Sequence, residues 1–176
     1  MHHHHPFQYC PQCGSSELTW NGINRFACPT CDFLFYQNTA AACGAILTID
    51  GRILLLRRGE EPARGLLDFP GGFVDPGESV EVALAREIQE EIGMVAGGLT
   101  FLCSFPNTYA YHGVTYNTCD LIFTGTLAHA PTNVAPGEVD GFELLDPTEV
   151  HARLPEIAFP SLRKGMERYL SQVLTG

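Results

Sequence analysis

The stretch Gly72 to Met94, GFVDPGESVEVALAREIQEEIGM, constrains this chain more than any other. A glycine turn leads into a helix-forming segment that carries Glu87, Glu90 and Glu91 at spacings i, i+3 and i+4. At about 100° per residue these carboxylates share one side of a helix. Leu84, Ile88 and Ile92 form the adjoining apolar stripe, which is expected to pack on a core. Arg86 is the only base in the segment, and no Lys or Arg follows until Arg153. Two carboxylates about 6 Å apart repel by roughly 3 kcal/mol at an effective dielectric of about 20. A helix gains nothing from this repulsion unless a cation sits among the oxygens, and hard divalent ions such as Mg²⁺ or Mn²⁺ favour oxygen donors.

Composition narrows the partners. The 176 residues allow one ordinary domain plus a small module. A hydrophobic fraction of 45% and a charged fraction of 17% are those of a globular protein. The net charge of −10 argues against general nucleic-acid binding, which needs a basic footprint. It suits a phosphorylated substrate only where metal ions supply positive charge. No apolar run reaches the length of a membrane span, and no secretory core opens the chain. His2 to His5 resemble an affinity tag, so residues 1–6 are set apart from the fold.

Four of the seven cysteines form two CxxC pairs, Cys10/Cys13 and Cys28/Cys31, with fourteen residues between the pairs. That spacing in a reducing cytoplasm predicts a four-thiolate Zn²⁺ site in a ribbon over residues 7–38. Asn21-Gly22 predicts a two-residue type I′ turn between its strands. The ribbon has one base, Arg25, so a structural role fits it better than a nucleic-acid clamp.

Residues 39–176 are expected to form one domain. Asp50-Gly51 predicts a hairpin between Ala42–Ile49 and Arg52–Arg58. Arg57 and Arg58, at the end of the second strand, are expected to be solvated or ion-paired. Gly97-Gly98 precedes three apolar stretches, Leu99–Phe105, Tyr109–Tyr116 and Cys119–Leu127. Asp146-Pro147-Thr148-Glu149 is a helix start. A last helix follows Pro160, with Leu162, Met166, Tyr169, Leu170 and Val173 as its core stripe.

The central stretch resembles the Nudix hydrolases, whose pattern is G, five residues, E, seven residues, then R-E-U-x-E-E-x-G-U with U a bulky apolar residue. Gly72, Glu78, Arg86, Glu87, Ile88, Glu90, Glu91, Gly93 and Met94 match it without a gap. The resemblance implies an α/β/α sandwich around a curved mixed sheet, with the motif as a loop–helix–loop at its edge. It also implies that Glu87, Glu90 and Glu91 bind the metal, that Gly71 lends a carbonyl and that Arg86 orients a glutamate. Glu78 then has a supporting role. Glu138, after the Pro- and Ala-rich loop 128–137, is the candidate distal acid, with Asp140 and Glu143 as rivals.

A zinc ribbon ahead of such a domain is similar to the NADH pyrophosphatase subgroup, which cleaves NAD(H) and NAD-capped RNA ends. That subgroup carries a Ser-Gln-Pro-Trp-Pro-Phe-Pro-type segment where this chain has SFPNTYAYHGVTYNTCD, Ser104 to Asp120. The substrate is therefore open among ADP-ribose, NADH and dinucleotides, with Gly71, Gly72, Tyr109, Tyr111 and Tyr116 as candidate substrate contacts. The expected function is a metal-dependent pyrophosphohydrolase. A housecleaning nucleoside triphosphate pyrophosphatase and a non-catalytic nucleotide sensor are the alternatives. The expected partners are a small nucleotide, with a capped RNA end as the only nucleic acid, no membrane, and a second copy in a homodimer.

Overall fold

Asp50 and Gly51, at φ 49° and 79°, close the first hairpin of the main sheet in a computed structural model that describes residues 7–174. Residues 1–6, including the tag-like His2 to His5, lie outside the described residues. The hairpin joins β4 (Ala40–Ile49) to β5 (Arg52–Arg58), with Ile49 opposite Arg52 as a two-residue turn requires.

Before it lies a three-stranded antiparallel ribbon: β1 (Thr19–Trp20), β2 (Arg25–Ala27) and β3 (Leu34–Tyr36). The expected two-residue turn at Asn21-Gly22 is instead a four-residue loop, because Trp20 pairs with Phe26. Its physical cause is Asn21, whose side-chain oxygen accepts from the backbone N–H groups of Ile23, Asn24 and Arg25, each at 2.9 Å. One side chain thus satisfies three loop donors.

The main sheet adds β6 (Leu67–Asp68), β7 (Gly71–Phe73), β8 (Gly97–Tyr111), β9 (Val114–Thr126) and β10 (Val139–Leu145). Its order is β10-β5-β4-β9-β8, with β6 on β5 and β7 on β4. Only β4 and β9 run parallel; the other named pairs are antiparallel. The three apolar stretches after the central helix become two long strands turning at His112-Gly113, both at positive φ. Gly97 and Gly98 do not end the strand pattern; they open β8 at a register shift, with Gly98 at φ 63°.

Helices cover both faces, so the buried runs 45–47 of β4 and 53–56 of β5 are apolar on both sides. On one face Ala45, Leu47, Leu54 and Leu56 meet Ala83, Leu84, Ile88 and Ile92 of α1 (Val80–Ile92). On the other, Ile46, Ile53 and Leu55 meet Leu162, Met166 and Leu170 of α3 (Pro160–Val173). Val173, expected in that stripe, is exposed at the last residue of the helix. Ser79 caps α1 by accepting from Val82 N–H, and Gly93 ends it in the left-handed conformation. The short α2 (Pro147–Ala152) begins as expected, with Glu149 accepting from the Asp146 N–H at 2.9 Å. The motif helix lies across β4 and β7, and β7 pairs with β4 alone. No helix of the described residues is long and apolar enough to cross a membrane.

Candidate active site

β4 and β5 pair only from Leu47–Ile49 to Arg52–Leu54 and then splay. β7 fills in along β4 and β6 along β5, and a cleft of about 350 Å³ opens between them. Glycine is required where the chain enters this gap. A Cβ on Gly71, at φ +151°, would stand 2.1 Å from the Cys43 carbonyl oxygen, and one on Gly72 would stand 2.5 Å from Glu87 Oε1. The bare backbone at these two positions lets α1 lay its carboxylates into the cleft.

Seven acids line it, Glu60, Asp68, Asp75, Glu87, Glu91, Asp120 and Glu138; Glu87 and Glu91 come from α1, Asp68 from β6, and Glu138 from the end of the long loop. Glu91 is half-buried, and the N–H of Gly71 donates to its Oε2 at 2.9 Å. Burial pushes its carboxyl well above the usual range, and the charges of Asp68, Glu87 and Glu138 push the same way. Burial also raises Glu87 and Asp68, against the opposing pull of Arg86 and Arg58 respectively. No ion pair reaches Glu91 among the described residues. Glu91 and Glu138, outside the ion pairs that hold Glu87 and Asp68, make with Glu87 a fitting donor set for a hard divalent metal.

Arg86 is the clamp of the motif. It donates to Glu78 at 2.7 Å, Glu87 at 2.8 Å, Glu90 at 3.1 Å and the Phe73 carbonyl at 3.2 Å. Its hydrogen bond holds Glu78 below the usual carboxylate range, which suits a supporting acid. Glu90 is exposed and stands at the rim outside the cleft lining. The oxygens of Glu87, Glu90 and Glu91 do not gather within 4.8 Å of one another; among the described residues only the four ribbon sulfurs form so tight a group. Of the rival distal acids, Glu143 is held by Arg57 and Arg153, and Asp140 is 3.9 Å from Arg64. Only Glu138 of the three lines the cleft.

Tyr109 lines the cleft, in contact with Phe73 at 5.5 Å and Phe159 at 5.7 Å between ring centroids. Tyr111 and Tyr116 stand one ring further out and are exposed. Sequence reasoning missed Asp68, Asp120 and Phe159. An acid inside the apolar run Cys119–Phe123 was a usable signal for Asp120; nothing marks Phe159, which chain folding brings to the cleft from just before α3. Arg58 is ion-paired as expected, to Asp68 at 2.5 Å, yet it also lines the cleft with its guanidinium 5.0 Å from the Phe159 ring centroid.

In the ribbon, Cys10 and Cys31 sulfurs are 3.6 Å apart and those of Cys13 and Cys28 are 3.7 Å apart. The four form a metal-binding type of cluster.

The raised carboxyls set a pH prediction for metal-free protein. An acid whose folded pKa is raised binds its proton more tightly in the native state, so stability falls as pH rises through that pKa. Glu91, Glu87 and Asp68 act in this direction. Glu78, Glu143 and Glu156, lowered by arginine contacts, act oppositely and weaken the fold as pH drops below the ordinary carboxylate range. In chelator the melting temperature is therefore expected to be highest in the ordinary carboxylate range and to fall as pH rises above it. Mg²⁺ or Mn²⁺ should restore more at the higher pH. A flat thermal-shift profile, or equal metal stabilisation at both ends, contradicts this account.

Comparisons agree with the geometry. The model of the NUDIX domain matches residues 37–169. An ADP-ribose pyrophosphatase of Methanocaldococcus jannaschii is 43% identical over 63 residues, 36% of this chain and 37% of that protein. An NAD-capped RNA hydrolase of Deinococcus radiodurans is 29% identical over 137 residues, 76% of this chain and 46% of that protein. The chain thus spans less than half the length of either relative. The crystal structure of a Nudix hydrolase from Nitrosomonas europaea superposes with a TM-score of 0.72 at 23% identity, covering 97% of this chain and 94% of that one. With a matched domain over most of its length and the same fold, the chain belongs to the Nudix hydrolase family.

Proposed function

We propose that this protein is a metal-dependent pyrophosphohydrolase that cleaves the diphosphate linkage of a nucleoside diphosphate derivative of the ADP-ribose, NADH or dinucleotide type. The observation that carries the reading is the cleft itself, which sets the carboxylates of Glu87, Glu91 and Glu138 in one lining with Arg58 and an aromatic wall. Glu87 and Glu91, with Glu90 at the rim, hold Mg²⁺ or Mn²⁺; Gly71 contributes its backbone. The bound ion supplies Lewis acidity towards a phosphoryl oxygen. Arg86 fixes the Glu87 carboxylate for this task. Water attacks one phosphorus, the anhydride P–O bond breaks, and the leaving phosphate takes that electron pair. Glu138, exposed where it lines the cleft, accepts the proton from water. Arg58 offsets charge on the second phosphoryl group. Gly71 and Gly72 let the phosphates approach the backbone; Tyr109, backed by Tyr111 and Tyr116, takes the organic part.

In this reading Cys10, Cys13, Cys28 and Cys31 hold a structural Zn²⁺ in a reducing, cytoplasmic setting, residues 7–38 form the ribbon and residues 39–176 the hydrolase domain. A capped RNA end and a homodimeric assembly belong to the same proposal. The test is a panel of ADP-ribose, NADH, dinucleoside polyphosphates and nucleoside triphosphates with Mg²⁺ or Mn²⁺. Nucleoside monophosphate release from the first three classes is expected. Turnover confined to triphosphates, or none at all, sinks the proposal.

A further inference from the structure

Asp120 is a buried acid of the cleft that the proposed chemistry leaves without a task. It is 6% exposed on β9, and both its oxygens accept from hydroxyls: Thr118 Oγ1 at 2.6 Å and Ser161 Oγ at 2.5 Å. Thr118 lies two residues away on the same face of the strand, and Ser161, itself buried, sits in the first turn of α3. No ion pair includes Asp120 among the described residues, in contrast to Asp68 with Arg58. On β4 its partner is the small Ala42, with Gly44 next on that face, and on β8 it stands opposite Phe105.

An ionised carboxylate has about four lone-pair sites, all acceptors. Two hydroxyls occupy one site on each oxygen and pin the group, so one acceptor per oxygen is left to a ligand. A phosphate at this position would be repelled. The group therefore faces the organic end of the substrate, beside the wall made by Tyr109 and Phe159. A flat ring laid against that wall presents its edge, and not its face, to whatever stands beside it.

We propose that Asp120, held by Thr118 and Ser161, is a specificity determinant that selects a heteroaromatic base carrying N–H donors on its edge. The inference rests on the nucleotide reading above, but it is decided by binding and not by turnover. A base edge that lacks a donor leaves a buried acceptor unpaired, which is where such sites discriminate most strongly.

Calorimetric titration of the full chain with nucleoside monophosphates tests it. Adenosine 5′-monophosphate is expected to bind about tenfold or more tightly than purine riboside 5′-monophosphate, which lacks the amino group. Asp120→Asn should weaken adenosine monophosphate about tenfold and erase that preference. Should that variant not fold, Ser161→Ala, which frees the carboxylate to swing, is expected to shrink the preference. Survival of the full preference in the folded Asp120→Asn variant overturns the proposal, or in Ser161→Ala where that variant decides. So does a loss confined to 2′-deoxyadenosine monophosphate, since Asp120 would then read a ribose hydroxyl. Hydrolysis is scored separately. Diphosphate turnover with no base preference sinks this inference alone, and a base preference without turnover sinks only the hydrolase reading.

Discussion

Glu91→Gln is expected to lower kcat on a diphosphate substrate by about 10³-fold, the middle of the range for losing a group acting directly at the reacting centre. The substitution is close to isosteric. The amide oxygen can still accept from the Gly71 N–H, which donates to the carboxylate at 2.9 Å, so the turn and the helix keep their geometry. What disappears is the charge. Because burial and three neighbouring acids raise the Glu91 carboxyl, removing its charge should stabilise the metal-free protein at neutral pH. The same change should abolish most of the thermal stabilisation by Mg²⁺ or Mn²⁺. Loss of activity together with a higher melting temperature in chelator separates a metal-holding residue from one that merely supports the fold. Glu90→Gln is the internal comparison: exposed and tied to Arg86, it should cost about tenfold, the scale of a group that orients a ligand. Equal losses in the two variants, or an active Glu91→Gln, would remove Glu91 from its assigned place.

The motif helix was legible because local chemistry and global packing agree along it. Leu84, Ile88 and Ile92 recur at helical spacing, Ser79 and Gly93 bound the element, and its charged side has only Arg86 to balance it. The Asp50-Gly51 hairpin was legible for a similar reason, since positive φ at both residues is written in their identities. The Asn21-Gly22 turn misled because the same Asn that favours a type I′ turn can also fold its side chain over a longer loop. The far wall of the cleft was illegible for a different reason. Arg58, Asp68, Asp120 and Phe159 come from four separate segments, and each is ordinary in its own surroundings. Their meaning arises only where β4 and β5 splay, and no periodicity within one segment encodes that gap.

Removal of metal from the ribbon is expected to unfold residues 7–38 while the hydrolase domain stays folded. In the ribbon only Cys10, Phe26 and Cys28 are buried, far too little apolar surface to hold three short strands. The sulfur separations of 3.6 Å and 3.7 Å lie close to the edge, about 3.8 Å, of a tetrahedron with metal–sulfur bonds of about 2.3 Å. They are far from a disulfide bond length of about 2.05 Å. Metal binding to such a site contributes on the order of 10 kcal/mol, so a metal held there would supply most of the ribbon's stability. Cys28→Ser should therefore abolish binding of one Zn²⁺ per chain and leave the ribbon unfolded even with zinc in excess. Trp20 makes the outcome readable, since it is the only tryptophan of the chain and its ring lies 4.5 Å from that of Phe26. Chelation of the wild type, or Cys28→Ser, should shift Trp20 emission to the red. The far-ultraviolet helix signal, which comes from α1, α2 and α3, should stay unchanged. Cys119→Ser, at an exposed cysteine outside the cluster, should change neither signal. Unshifted Trp20 emission in zinc-free protein would mean that the ribbon holds without metal, and the four-thiolate site would lose its structural role.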